Sequence, residues 1–139
     1  MRITPVKPSS LSLRYFVSPV AAGFPSPADD YIERHLSLDE LLIKHPSATY
    51  LVRAEGDSMI GSGIFNQDIL LVDRSLTPRH GDIVVAAIGG ELTCKYLNLK
   101  TRQLVSANAK YPPIPIPEDM ECLIEGVVTS SLRLHRTVS

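Results

Sequence analysis

Short runs in which apolar and polar residues alternate recur along most of this chain, and Gly, Pro, Asn or Asp separate them. The period of two predicts strands over Thr49–Ala54, Ile69–Asp73, Ile83–Ile88, Leu92–Leu97, Gln103–Ser106 and Cys122–Thr129. Gly89-Gly90 sits between two of these runs as a two-residue hairpin signal. Gly56, Gly61, Gly63, Pro78 and Gly81 punctuate the others. Pro112, Pro113, Pro115 and Pro117 make 111–118 an irregular or edge segment, because proline cannot donate to a ladder. Leu132–His135 reads as a last edge strand, with Arg133 and His135 masking the edge by charge.

Helical signals are few. Ser37-Leu38-Asp39-Glu40 forms a capping box ahead of Leu41, Leu42 and Ile43. That helix is expected to end near His45, since Pro46 disfavours helical geometry in the residue before it. Ser26-Pro27-Ala28-Asp29 resembles a second helix start, good for one or two turns. Pro5, Pro8, Pro19, Pro25 and Pro27 make residues 1–30 an extended arm, mobile or laid across the body. Residues 31–139 then form a mainly β, compact, largely antiparallel domain with one or two short helices.

Composition narrows the partners. At 139 residues with 44% hydrophobic content, the chain can bury a core without staples. Fourteen basic and 15 acidic residues give a net charge of −1, so there is no electrostatic footprint for nucleic acid and no polybasic membrane patch. The stretch between Arg2 and Val20-Ala21-Ala22 lacks the apolar centre of an export signal, and no run of about 18 apolar residues occurs. A soluble, cytoplasmic protein is expected. Cys94 and Cys122 lie in apolar runs and read as reduced core thiols. The scattered histidines His35, His45, His80 and His135 lack metal-ligand spacing.

Candidate chemistry centres on Gly56-Asp57-Ser58-Met59. Glycine permits a tight turn that exposes a hydroxyl and leaves backbone N–H groups free to face an oxyanion. Taken alone, such a serine is a turn or cap residue. As a nucleophile it needs a base. One choice is His80 with Asp82, in a Pro- and Gly-flanked loop that also reads as a plain exposed turn. The other is Lys95, which interrupts an apolar run. Alternation places Leu92, Cys94 and Tyr96 on one face of that strand, and Glu91, Thr93, Lys95 and Leu97 on the other. A solvent-facing lysine is the plain alternative. Bringing a lysine from a pKa of about 10.4 to near neutrality costs roughly 4–5 kcal/mol, which partial burial in mid-strand can supply.

Five ordered runs resolve the choice by resemblance. Ala22-Gly23-Phe24-Pro25-Ser26-Pro27, His45-Pro46-Ser47-Ala48-Thr49-Tyr50, Gly56-Asp57-Ser58-Met59-Ile60, His80-Gly81-Asp82-Ile83-Val84 and Gly90-Glu91-Leu92-Thr93-Cys94-Lys95 resemble the UmuD branch of the LexA-type self-cleaving serine peptidases. Their order and the Ser58-to-Lys95 spacing match, from about Gly23 to Val128. The resemblance implies a LexA/signal-peptidase-like β fold with neutral Lys95 as general base and Ser58 as nucleophile. Gly56, Asp57 and Met59 would support the oxyanion and the turn. The target is the Ala22–Gly23 bond, whose alanine departs from UmuD toward LexA. A fully extended 23–58 segment reaches about 115 Å, so an arm can reach a site on its own chain or another.

The resemblance further implies a homodimer, no cofactor, activation by a RecA filament on single-stranded DNA, and a trimmed product serving a UmuC-like Y-family polymerase in SOS mutagenesis. Direct sequence-specific DNA binding and membrane attachment are not expected. A LexA-like repressor would need a helix-turn-helix domain, for which the roughly 20 proline-interrupted residues before Ala22 leave no room. A signal-peptidase-type enzyme acting on other proteins would normally need an anchor. A non-catalytic binding module is the reading if Lys95 is exposed.

Overall fold

The structure is a computed structural model and describes residues 3–5, 11–16, 33–118 and 123–136. The expected helix start at Ser26-Pro27, the Ala22–Gly23 bond and Cys122 lie outside the described residues. The chain divides into two compact units, residues 7–44 and residues 1–6 with 45–139.

The smaller unit contains strand β2 (Leu13–Phe16) paired antiparallel with β3 (Glu33–Leu36), followed by helix α1 (Leu38–Leu42). The capping serine works as its spacing predicts: the Glu40 N–H donates to Ser37 Oγ at 3.1 Å. The helix stops three residues short of His45, however, with Ile43 already extended at φ −120°. No residue of α1 is buried. Without a buried face, propensity and one cap sustain little more than a single turn.

The larger unit is one antiparallel sheet. Its strands are β1 (Ile3–Pro5), β4 (Thr49–Arg53), β5 (Ile69–Asp73), β6 (Ile83–Ile88), β7 (Glu91–Asn98), β8 (Gln103–Val105), β9 (Ile114–Pro115) and β10 (Ile124–Leu132). Their spatial order is β1-β4-β5-β10-β6-β7-β8-β9. The mainly β expectation therefore holds, and the strand runs read from alternation appear within a few residues of their expected ends. Gly89-Gly90 closes the β6–β7 hairpin with both φ angles positive. The prolines confine β9 to two residues at the end of the sheet.

The expected edge strand at Leu132–His135 is corrected. Leu132 ends β10, which lies inside the sheet between β5 and β6. Arg133 leaves the ladder and clamps the buried Asp68, with Nε 3.0 Å from Oδ1 and Nη2 3.1 Å from Oδ2, while its guanidinium stacks 4.0 Å from the Phe65 ring centre. A buried carboxylate demands a charged partner more strongly than an open edge demands masking.

Alternation fills two cores, one on each face of the sheet. Val85, Cys94, Tyr50, Val52, Leu70 and Val72 belong to the first, where Met59 and Ile64 join them. Val84, Ala86, Leu97, Leu104, Ile116 and Val127 form the second. Full burial of each Leu or Val contributes about 1.5–3 kcal/mol. These cores hold β7 rigidly, and β7 carries Lys95.

Candidate active site

The turn between β4 and β5 carries Ser58, and local chemistry explains its shape. Gly56 adopts φ +86°, a conformation that costs a side-chain-bearing residue about 1–2 kcal/mol. Its N–H donates to Asn66 Oδ1 at 2.9 Å. Met59 is 3% exposed and plugs the turn into the first core. A short 3₁₀ turn follows over Ile60–Ser62, closed by the Ser62 hydroxyl donating to the Met59 carbonyl at 2.7 Å. Among the described residues, neither the Ser58 nor the Met59 N–H has an acceptor.

Lys95 approaches this turn from β7. Its Nζ lies 3.1 Å from Ser58 Oγ, 3.1 Å from Thr93 Oγ1 and 3.3 Å from the Cys94 carbonyl. Lys95 is only 7% exposed, and its ammonium has no carboxylate within ion-pair distance among the described residues. Burial without a counter-charge penalises the cation, so its pKa is pushed down from the ordinary lysine value. A neutral amine has two N–H donors and one lone pair. The Cys94 carbonyl can only accept, and Thr93 Oγ1 accepts the second proton, which leaves the lone pair for the Ser58 hydroxyl. The arrangement is thus competent to take a proton from Ser58. The neighbouring thiol Cys94 is buried and pushed up to about 12, so it supplies neither charge nor a competing nucleophile.

Ser58 opens onto a cleft of about 510 Å³ with Gly56 and Met59 on one wall and Leu92, Thr93 and Cys94 on the other. A second recess of about 360 Å³ adjoins Lys95, lined in part by Ser106, Tyr111 and Ile114. The cleft at Ser58 is mostly polar, with Glu55, Glu91 and Thr93 in its lining, while the recess beside Lys95 is the more apolar of the two.

The other candidate base is placed elsewhere. His80 is exposed and its Nδ1 accepts the Leu99 N–H at 3.0 Å, while Asp82 Oδ2 accepts the Arg79 N–H at 2.8 Å. These are turn-capping bonds, and neither His80 nor Asp82 is bonded to the other or to Ser58.

Sequence reasoning missed the residues around the dyad. Thr93 was within reach of the strand period, since it precedes Lys95 by two residues on the same face. Asn66, Asn108 and Tyr111 carried no local signal. Asn108 Nδ2 donates to the Asp57 carbonyl at 3.0 Å, and the Tyr111 hydroxyl donates to Asp57 Oδ1 at 2.5 Å. Lys110 Nζ lies 3.4 Å from Asp57 Oδ2. The Tyr111 hydrogen bond, with Lys110 beyond it, holds the Asp57 carboxyl below the usual carboxylate range.

Comparison with known proteins agrees with this architecture. The profile of the family described as Peptidase S24-like matches residues 15–129. Protein MucA of Salmonella typhimurium is 46% identical over 126 residues, covering 89% of this chain and 86% of MucA. Protein ImpA of Shigella flexneri is 43% identical over 122 residues, covering 88% of this chain and 83% of ImpA. A LexA repressor of Alcanivorax borkumensis is 40% identical over 119 residues, or 84% of this chain and 57% of the repressor.

Proposed function

This chain belongs to the Peptidase S24-like family, and from that premise we propose that it is a serine peptidase that cuts its own N-terminal arm, residues 1–30, between Ala22 and Gly23. Neutral Lys95 removes the Ser58 proton as Oγ attacks the Ala22 carbonyl carbon. Backbone N–H groups of the Gly56–Met59 turn hold the oxyanion. The resulting Lys95 ammonium gives its proton to the departing Gly23 nitrogen, leaving the arm as an ester on Ser58. Lys95, neutral again, then deprotonates a water that attacks the ester. The ester oxygen returns to Ser58 with that proton. The observation that carries the reading is the 3.1 Å approach of a buried lysine amine, with no carboxylate beside it among the described residues, to a serine hydroxyl.

The same reading assigns a biological setting. The protein is cytoplasmic and homodimeric, and a RecA filament on single-stranded DNA triggers the cut. Such a partner acts by favouring the arm position in which the Ala22 carbonyl lies on Ser58, without altering the dyad. The trimmed dimer serves a UmuC-like Y-family polymerase in SOS mutagenesis. A net charge of −1 fits a protein that meets DNA through partners.

Incubating the purified protein with RecA, single-stranded DNA and a nucleotide is expected to yield a fragment whose N-terminus is Gly23. An intact chain, under conditions where a LexA control is cut, sinks the proposal.

A further inference from the structure

The segment 107–111 grips the nucleophile turn at several independent points. The Gly61 N–H donates to the Ala107 carbonyl at 2.8 Å, and the Ala107 N–H donates to Met59 Sδ at 3.4 Å. The approach is tight: a Cβ added at Gly61 would stand 2.6 Å from the Ala107 oxygen. Tyr111 and Lys110 hold the Asp57 carboxylate. Asn108 makes a different kind of contact. It holds a backbone group, the Asp57 carbonyl, which also accepts the Ile60 N–H at 3.3 Å.

That carbonyl shares a peptide plane with the Ser58 N–H. A trans peptide is planar, with its C=O and N–H pointing in opposite directions. Pinning the oxygen therefore fixes the direction of the hydrogen, and the Ser58 N–H must point away from Asn108. It is also an N–H with no acceptor among the described residues. A hydrogen bond to the carbonyl polarises the whole amide and strengthens its N–H as a donor. On the reading that Ser58 attacks the arm, we propose that Asn108 is a positioning residue of the self-cleavage reaction. By holding the Asp57 carbonyl it aims the Ser58 N–H at the oxyanion forming on Ala22, and Tyr111 and Lys110 keep the adjacent side chain from pulling the turn away.

The test pairs activity with three readouts that loss of folding or of the base would not mimic. Asn108→Ala is expected to slow self-cleavage about 10- to 100-fold, less than outright loss of an oxyanion donor. The pH at which the rate levels off, set by Lys95, stays in place. In a Ser58→Cys background, Asn108→Ala leaves alkylation by iodoacetamide within about twofold, because displacement at an sp³ carbon builds no oxyanion. The Ser58 amide nitrogen resonance shifts in Asn108→Ala while those of β5 and β10 do not. Asn108→Asp keeps the size but loses the donor and should be at least as slow, which covers the case where the alanine variant fails to fold.

Cleavage within twofold of wild type in the folded variants overturns the proposal. So does alkylation that falls in step with cleavage, since Asn108 would then be holding the nucleophile itself. An unshifted Ser58 resonance also overturns it. If the wild-type chain never cuts itself, the proposed function fails, and the resonance still reports whether Asn108 pins the peptide.

Discussion

At the end of β5, the Ser75 hydroxyl donates to Asp73 Oδ1 at 2.6 Å, and His45 Nδ1 lies 2.6 Å from Oδ2 of the same carboxylate. In the cleft, the Ser58 hydroxyl meets the amine of Lys95. The first cluster holds the three residue types of a familiar hydrolytic triad, and the second holds only a serine and a lysine. Their wiring reverses what the inventory implies. Ser75 and His45 both spend their polar atoms on Asp73, so the imidazole never stands between serine and acid, as a relay requires. Among the described residues Lys95 has no acid beside it, and its desolvation shifts the balance from ammonium toward the neutral amine that a base needs. The lesson is that burial and connectivity separate a structural knot from a pair arranged for proton transfer.

The largest expected effect is on the reactive pair. Ser58→Ala or Lys95→Ala is expected to lower self-cleavage by at least about 10³-fold, and Lys95→Arg should do the same because a guanidinium does not deprotonate. Fragment appearance on gels over time reads this directly, with His80→Ala as the control expected to stay within about twofold. A slow His80→Ala would move the base away from Lys95.

Next in size is the response to pH. On the proposed mechanism the active form of Lys95 is the neutral amine, and burial holds its pKa below that of a free lysine. Cleavage without a partner should therefore accelerate about tenfold per pH unit while Lys95 is mostly protonated, then level off above its folded-state pKa. A rate flat across the alkaline range would break the contrast with the Asp73 cluster.

The Asp73 knot should respond in stability instead. Asp73 is 4% exposed and accepts from the Ser75 N–H and hydroxyl as well as facing His45. Asp73→Ala is expected to cost about 2–3 kcal/mol, a fall of roughly 10 °C in melting midpoint. Burial pushes this carboxyl up, but the Ser75 and His45 hydrogen bonds outweigh it and its pKa ends below the usual value. With the folded pKa depressed, the contribution is present above about pH 4 and is lost as pH falls through the folded value. Melting midpoints of wild type and Asp73→Asn should thus converge in acid. Convergence at alkaline pH would contradict the assignment.

Local rules made much of the fold readable. The alternation in β5 and β6 and the Gly89-Gly90 turn are nearest-neighbour signals, and the observed strands Ile69–Asp73 and Ile83–Ile88 follow them closely. Helix length was less readable, because the stop after Leu42 reflects a missing buried face that no local pattern reveals. The end of β10 misled for a similar reason: Ser130 and Ser131 dilute the apolar period, and Arg133 answers to Asp68, far away in sequence. Thr93 was within reach of the strand period. Asn108 and Tyr111 were not, since an asparagine and a tyrosine in a proline-rich stretch read as loop residues until they meet Asp57.

By itself, then, the sequence determined the strands, the tight turn at Gly56-Asp57-Ser58 and the face of β7 on which Lys95 lies, because backbone geometry and side-chain alternation act between near neighbours. Only the tertiary structure decided that Lys95 is buried with no acid beside it among the described residues, that its third partner is Ser58, and that the Asp57 carbonyl is pinned by Asn108. Those outcomes depend on desolvation and on hydrogen bonds between residues distant in the chain, which come into being only once the sheet brings them together.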